Sequence, residues 1–296
     1  MEREKMVVKP IGTVGLLGFG VMGAGIAQVA SRAGYDVIAV DTDKSILAAG
    51  EDRVRESLVM AELRGKLSDK EAELAFLRIR PTTSIDTLSS ADIVVEAVAE
   101  VKEIKLEVLA TVGNVVSDDV VVVTNTSALS VTELARAVPL PGRFGGLHFF
   151  NPVPAIRLVE IVRALATTDE TIDQLTKFVE SLGKVSIVVK DRPGFLVNRL
   201  LMPYLNDVIQ AYDEKLASAE DIDIAVELGL GYPMGPLKLL DLIGLDVHEH
   251  ATCAAYESCH DPSLAPPPLL QRMVEAGYIG NKASHGFRVG QSGGEA

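Results

Sequence analysis

Along roughly the first two-thirds of the chain, short apolar runs alternate with longer stretches whose apolar positions recur every three or four residues. Residues 13–17, 37–40, 93–96, 120–124 and 185–189 are near-continuous apolar runs rich in β-branched side chains, the pattern of strands buried on both faces. Residues 24–33 and 44–63 carry helical spacing instead. Such alternation predicts a parallel sheet with helices on both faces. Past Lys190 the pattern changes. Asp191-Arg192-Pro193-Gly194 reads as a turn, and residues 196–216, 219–228 and 236–256 beyond it have helical spacing with no strand between them. The expected architecture is therefore an α/β domain over residues 11–190 and an all-helical domain over residues 191–290. The proline-rich run 261–268 ends a helix, and the tail 290–296 is expected to be mobile.

Composition narrows the classes of function. With 48% hydrophobic residues in 296, the chain has ample material for a large core. Its 28 basic and 41 acidic side chains leave a formal charge of -13, the wrong sign for a nucleic-acid binder. A local basic patch can still hold a small phosphorylated molecule. The two cysteines, Cys253 and Cys259, make no disulfide framework and suggest a reducing compartment. The start, MEREKMVVKP, lacks the apolar stretch of a signal peptide, and the longest apolar stretch, residues 14–27, is short for a membrane span and broken by glycines. These features lead us to expect a soluble cytoplasmic protein with neither a nucleic-acid nor a membrane partner.

The first chemistry-bearing motif is Gly18-Phe19-Gly20-Val21-Met22-Gly23, which follows an apolar run and opens a helix. The first glycine permits a tight turn, the second lets backbone approach a pyrophosphate, and the third lets helix and strand pack closely. Asp41, at the end of the second expected strand, comes 18 residues after Gly23 (41 − 23). A carboxylate there accepts hydrogen bonds from ribose hydroxyls and repels a 2′-phosphate, so NAD is expected rather than NADP. The N-terminal domain is accordingly read as a Rossmann-type dinucleotide-binding domain.

A second motif places His148 between an apolar run and the rigid segment Asn151-Pro152-Val153-Pro154. Glu160 lies in the apolar stretch Leu158-Val159-Glu160-Ile161-Val162, where a carboxylate is rare unless paired. Paired with His148 it would be satisfied, and it would orient the imidazole as a general base for a hydroxyl proton during hydride transfer.

Seven motifs in order, GFGVMGAGIA, VVEAVAE, TNTSALS, GLHFFNPVP, LVEIV, DRPGFLVNRLL and GYPMGPLKLLDLIGLD, span nearly the whole chain. On them the sequence resembles the 3-hydroxyacyl-CoA dehydrogenase family, most of all its short bacterial 3-hydroxybutyryl-CoA members. The resemblance implies NAD-dependent oxidation of (3S)-3-hydroxyacyl-CoA to the 3-ketoacyl ester and the reverse reduction, and a place in fatty-acid metabolism. It matches the family's base and its partner to His148 and Glu160. It matches Ser127 to a serine touching both cofactor and substrate, and Asn198 to an asparagine near the substrate oxygens. Glu100, Lys105 and Lys282 match cofactor contacts, and Ser57 and Lys66 match coenzyme A contacts within the basic group Arg53, Arg55, Arg64 and Lys66. The chain departs from the family pattern at Ala283, Ser284 and Arg288, beyond Lys282, and at Ala128, where many relatives carry serine.

Two other enzyme readings share this fold: a dehydrogenase of a free hydroxy acid, and one of a polyol. A third reading is a non-catalytic NAD-binding module. The His148–Glu160 pair and the basic group favour the acyl-CoA ester and argue against loss of catalysis. In residues 248–260, His250, Cys253, Glu257 and His260 would share a helix face, but one helix cannot close four ligands around an ion, and no metal centre is expected. Leu200-Leu201-Met202 and residues 237–243 are candidate surfaces for a homodimer paired through residues 191–290.

Overall fold

The computed structural model describes residues 11–290. The N-terminal segment read above for a targeting signal, and residues 291–296 of the tail, lie outside the described residues. The chain separates into two compact units, divided between Arg192 and Pro193.

The first unit winds β1 (Thr13–Leu17), α1 (Val21–Arg32), β2 (Asp36–Val40), α2 (Lys44–Leu63), α3 (Asp69–Leu77) and β3 (Ile79–Thr82) in succession. It continues through β4 (Ile93–Glu96), α4 (Lys102–Val115), β5 (Val121–Thr124), α5 (Val131–Leu134) and β6 (Phe144–Phe149). It closes with β7 (Leu158–Arg163), α6 (Asp169–Ser181) and β8 (Val185–Lys190). The eight strands form one sheet in the order β3-β2-β1-β4-β5-β6-β7-β8. Six are parallel in the doubly wound order, which turns back between β1 and β4 and so opens a crevice beyond the carboxyl ends of those strands. Valine, isoleucine and leucine dominate β1, β4 and β5 because helices cover both faces, leaving side chains such as Val14, Leu16, Ile93, Val95, Val121 and Val123 without solvent contact.

The sheet departs from the expected parallel pattern at one pairing, and its two edges have features of their own. Strand β7 runs antiparallel to β6 and sets Glu160 directly opposite His148. The short β3 carries Pro81, which the outer edge tolerates because that strand pairs only with β2. Strand β8, read from its apolar run as buried, is the other edge, and Val185 and Val188 are about half exposed.

The second unit contains α7 (Val197–Asp213), α8 (Ala219–Leu230), α9 (Pro236–Ile243), α10 (Leu245–Cys259) and α11 (Pro268–Glu275). Its core gathers Leu205, Ile209, Leu237, Leu240, Leu245, Leu270 and Phe287. The single helix expected over residues 236–256 is two, because Gly244 takes φ +102°, a conformation that breaks the helix and that L residues rarely adopt. His250, Cys253 and Glu257 do lie on α10, but His260 leaves it as a left-handed C-cap. Among the described residues no three histidine, cysteine or acidic side chains converge as metal ligands. Much of the material offered as a dimer surface feeds this core: Leu237, Leu240 and Met202 are buried, while Leu200 and Leu242 stay exposed.

A buried polar network ties the proline-rich loop to this unit. Asn206 on α7 donates from Nδ2 to Thr252 and to the carbonyls of Ser263 and Ala265, and its Oδ1 lies 3.0 Å from Nε2 of His248. Burial pushes the His248 imidazole down to about 4. The unfolded chain takes up a proton here below pH 6.5 while the folded one does not. Stability is therefore full above that pH and falls as the pH drops towards 4. Urea unfolding should show wild type losing about 2–3 kcal/mol more than His248→Gln between pH 7.5 and 4.5. Equal losses would contradict this account.

Candidate functional site

The glycine turn sits where the sheet reverses its winding. Gly18 follows β1 with φ +89°, and a Cβ there would come 2.5 Å from the Ala97 carbonyl oxygen beyond β4. A Cβ on Gly23 would collide with the carbonyl of Gly18, so α1 packs against the turn only with glycine at that position. Gly20 differs: a Cβ there would meet nothing within 4 Å. Its outer side is open, and α1 starts from Gly20 without a side-chain cap, leaving first-turn N–H groups for an anion. Val21 is exposed and Met22 half-buried at this opening. Asp41, just past β2, accepts the Phe19 N–H at 2.9 Å, which joins the expected ribose carboxylate to the turn itself. An open, uncapped turn with an acid beside it fits a dinucleotide.

Beyond β4 and β5 lies a compact ionic network. Glu96 and Lys105 are both fully buried and 2.7 Å apart. Glu96 also accepts the Val98 N–H and the Thr124 hydroxyl. On its other side the Lys105 ammonium lies 3.3 Å from Glu100. Glu100 accepts the Thr126 hydroxyl, the Ser127 N–H at 2.9 Å and the Ala128 N–H at 3.3 Å. Burial alone would raise the Glu100 carboxyl, but Lys105, Thr126 and Ser127 together outweigh it and hold the group below the usual carboxylate range. Glu100 and Ser127 are exposed. Lys105, matched above to a cofactor contact, is enclosed between two carboxylates.

Strand β6 brings His148 alongside. Its Nδ1 lies 2.7 Å from Glu160 Oε2, with both side chains buried. A carboxylate can only accept, so Nδ1 carries the hydrogen and the lone pair stands on Nε2. The next backbone N–H, that of Phe149, donates to Asn125 Oδ1 at 3.0 Å and ties β6 to the turn that carries Ser127. The loop after β6 is clamped by the buried Lys184, which donates to the Val153 and Ile156 carbonyls at 2.7 and 2.6 Å. Desolvation, helped by Arg32, depresses the Lys184 ammonium. Gly25 of α1 admits the same loop, since a Cβ there would stand 2.8 Å from Val153.

The remaining expected positions are more dispersed. Ser57 is half-buried on α2, and Lys66 is exposed in the turn after it. Arg55 is engaged locally, 2.9 Å from Asp52 and over the Phe76 ring. Asn198 stands in the first turn of α7 and Lys282, bridged to Asp246 at 3.1 Å, near the end of the second unit. Sequence reasoning overlooked Glu96, Asn125 and Lys184. Glu96 carried the signal that exposed Glu160, a carboxylate ending an apolar strand, but the lysine that neutralises it sits nine residues on in a helix.

Comparison with known proteins decides what this arrangement belongs to. The model of the 3-hydroxyacyl-CoA dehydrogenase NAD binding domain matches residues 13–192, and that of the same family's C-terminal domain matches residues 194–289. This chain belongs to the 3-hydroxyacyl-CoA dehydrogenase family. A 3-hydroxybutyryl-CoA dehydrogenase of Mycobacterium tuberculosis is 42% identical over 276 residues, covering 93% of this chain and 96% of that one. The hydroxyacyl-coenzyme A dehydrogenase of Homo sapiens mitochondria is 39% identical over 291 residues, 96% of this chain and 92% of that one. The crystal structure of (S)-3-hydroxybutyryl-CoA dehydrogenase from Ralstonia eutropha superposes with a TM-score of 0.92 at 40% identity, covering 96% of this chain and all of the other. The chain is an NAD-dependent oxidoreductase acting on the 3-hydroxyl of acyl-CoA esters.

Asp41→Ala should weaken NADH binding about tenfold, close to 1.4 kcal/mol, and narrow the preference over NADPH. Fluorescence titration with both nucleotides checks this. Unchanged affinity for NADH would remove Asp41 from the site.

Proposed function

We propose that the preferred substrate is a short (3S)-3-hydroxyacyl-CoA, 3-hydroxybutyryl-CoA foremost, and that His148 is the general acid/base for its interconversion with the 3-ketoacyl ester. The observation that carries this reading is the 2.7 Å contact between His148 Nδ1 and Glu160 inside a buried ladder. NAD supplies the acceptor for the hydride that leaves carbon 3. His148 takes the hydroxyl proton on Nε2 as the C3–O bond becomes a carbonyl, and Glu160 neutralises the imidazolium that results. In the reverse direction the imidazolium returns that proton to the forming alkoxide. Ser127, exposed on its turn, donates a hydrogen bond to the reacting oxygen or to the thioester carbonyl, where negative charge develops. The backbone of the turn at residues 18–23 holds the pyrophosphate, Asp41 the adenosine ribose and Glu100 the nicotinamide end. Ser57 and Lys66 bind coenzyme A. The roles of Asn198 with substrate and of Lys282 with cofactor rest on their family motifs.

We further propose that the enzyme works in the cytoplasm as a homodimer paired through residues 191–290. The exposed Leu200, Leu216, Leu228, Leu230 and Leu242 of the second unit support the pairing. The absence of any helix long and apolar enough to cross a membrane among the described residues is compatible with that location.

NADH oxidation should be fast with acetoacetyl-CoA, and slow with free acetoacetate or with NADPH. Comparable rates on the free acid would contradict the ester assignment. His148→Ala should keep NADH affinity within about twofold while kcat falls at least about 100-fold, as expected for a group acting in the transition state. Equal losses of affinity and rate would mean that His148 is misassigned. Light scattering at micromolar concentration should return twice the 31.6 kDa chain mass, and a monomer would refute the pairing.

A further inference from the structure

Glu96 and Lys105 form a fully enclosed ion pair at the end of β4 that no step above uses. Burying two charges offers little stability by itself, since the Coulombic gain is largely offset by desolvation. The direction of the contacts gives the pair a purpose. Glu96 Oε1 receives Lys105 Nζ at 2.7 Å, and its other oxygen is fixed by Thr124 at 2.6 Å, so the carboxylate cannot rotate away. The ammonium, anchored on that side, lies 3.3 Å from Glu100 Oε2. Glu100 Oε1 then gathers the N–H groups of Ser127 and Ala128 and the hydroxyl of Thr126. The chain of contacts runs from inside the sheet to the exposed turn bearing Ser127.

We infer that Glu96 is a positioning residue: through Lys105 it holds Glu100 in the geometry that sets the Ser127 turn for substrate. The charge count agrees with this role. Two carboxylates share one ammonium, so a net negative charge remains, and it falls on Glu100, the exposed member. If Glu96 were lost, Lys105 would have Glu100 as its one carboxylate, and the carboxylate would be drawn inward, away from the backbone of residues 127–128. Lys105 then acts through Glu100.

The inference rests on the reading of Ser127 given above, and a double-mutant cycle separates the two. Glu96→Gln should lower kcat/KM for acetoacetyl-CoA about tenfold or more when Ser127 is present, but by less than about threefold in a Ser127→Ala background, because the two residues act in series. With kcat/KM measured at saturating NADH, the cycle reads the Ser127 turn alone. NADH affinity, measured by fluorescence without substrate, should fall by less than kcat/KM does in Glu96→Gln, because the same shift of Glu100 also loosens the nicotinamide end. Should that variant fail to fold with Lys105 left unbalanced, Glu96→Gln/Lys105→Met removes both charges in shapes close to the originals and should show the same loss and the same dependence on Ser127. Equal loss in both backgrounds would mean that the pair merely supports the sheet, and would overturn the inference. A Ser127→Ala variant as active as wild type would instead refute the reading on which it rests.

Discussion

The functional arrangement depends on one contact, the hydrogen bond between His148 and Glu160. Glu160 has no solvent exposure, so its charge is tolerable only with a donor in place, and the antiparallel register of β6 and β7 sets that donor directly opposite. The same contact makes Nδ1 the protonated nitrogen and Nε2 the basic one. A parallel sixth-to-seventh strand pairing would need a crossover between them and could not place the two side chains as partners across one short turn. Reversing the chain after β6 is therefore part of the chemistry as much as of the fold.

Buried carboxylates recur as organising elements. Glu160 orients an imidazole, and Glu96 anchors a lysine that in turn engages Glu100. In the second unit Asp241 is almost fully buried and accepts the N–H groups of Phe287, Arg288 and Val289 at 2.8, 2.7 and 2.9 Å, which holds the segment following Lys282 against α9. In each case at least one of the groups that satisfy the charge comes from another strand, helix or segment. Breaking any of them leaves an uncompensated buried group, a more damaging event than losing an exposed ion pair.

What could be read from the sequence follows from which constraints are local. The glycine turn was legible because each of its glycines answers a local need: a positive φ at Gly18, an open approach at Gly20 and tight packing at Gly23. His148 and Glu160 were legible because one stands between an apolar run and a rigid proline-containing segment and the other is a carboxylate inside an apolar run. The break at Gly244 was less so, since one glycine within continuous helical spacing is compatible with an unbroken helix until its φ is known. Strand β8 was misjudged because its apolar run signals a strand but not how many neighbours it will have. The Glu96–Lys105–Glu100 network was hidden because a helical lysine looks solvated until the helix is docked on the sheet. Family motifs matched Lys105 to the cofactor, and the packing encloses it.

The most direct test of the central claim is the protonation pattern of the His148 ring, read by nitrogen-15 NMR on histidine-labelled protein at neutral pH, with His148→Ala supplying the assignment. The account predicts hydrogen on Nδ1 and a lone pair on Nε2. His248 supplies an internal contrast, since its Nε2 faces the Asn206 carbonyl oxygen and should carry the hydrogen. If His148 instead carried its hydrogen on Nε2 with Nδ1 unprotonated, Glu160 would not be orienting a base, and the proton-transfer assignment would fail.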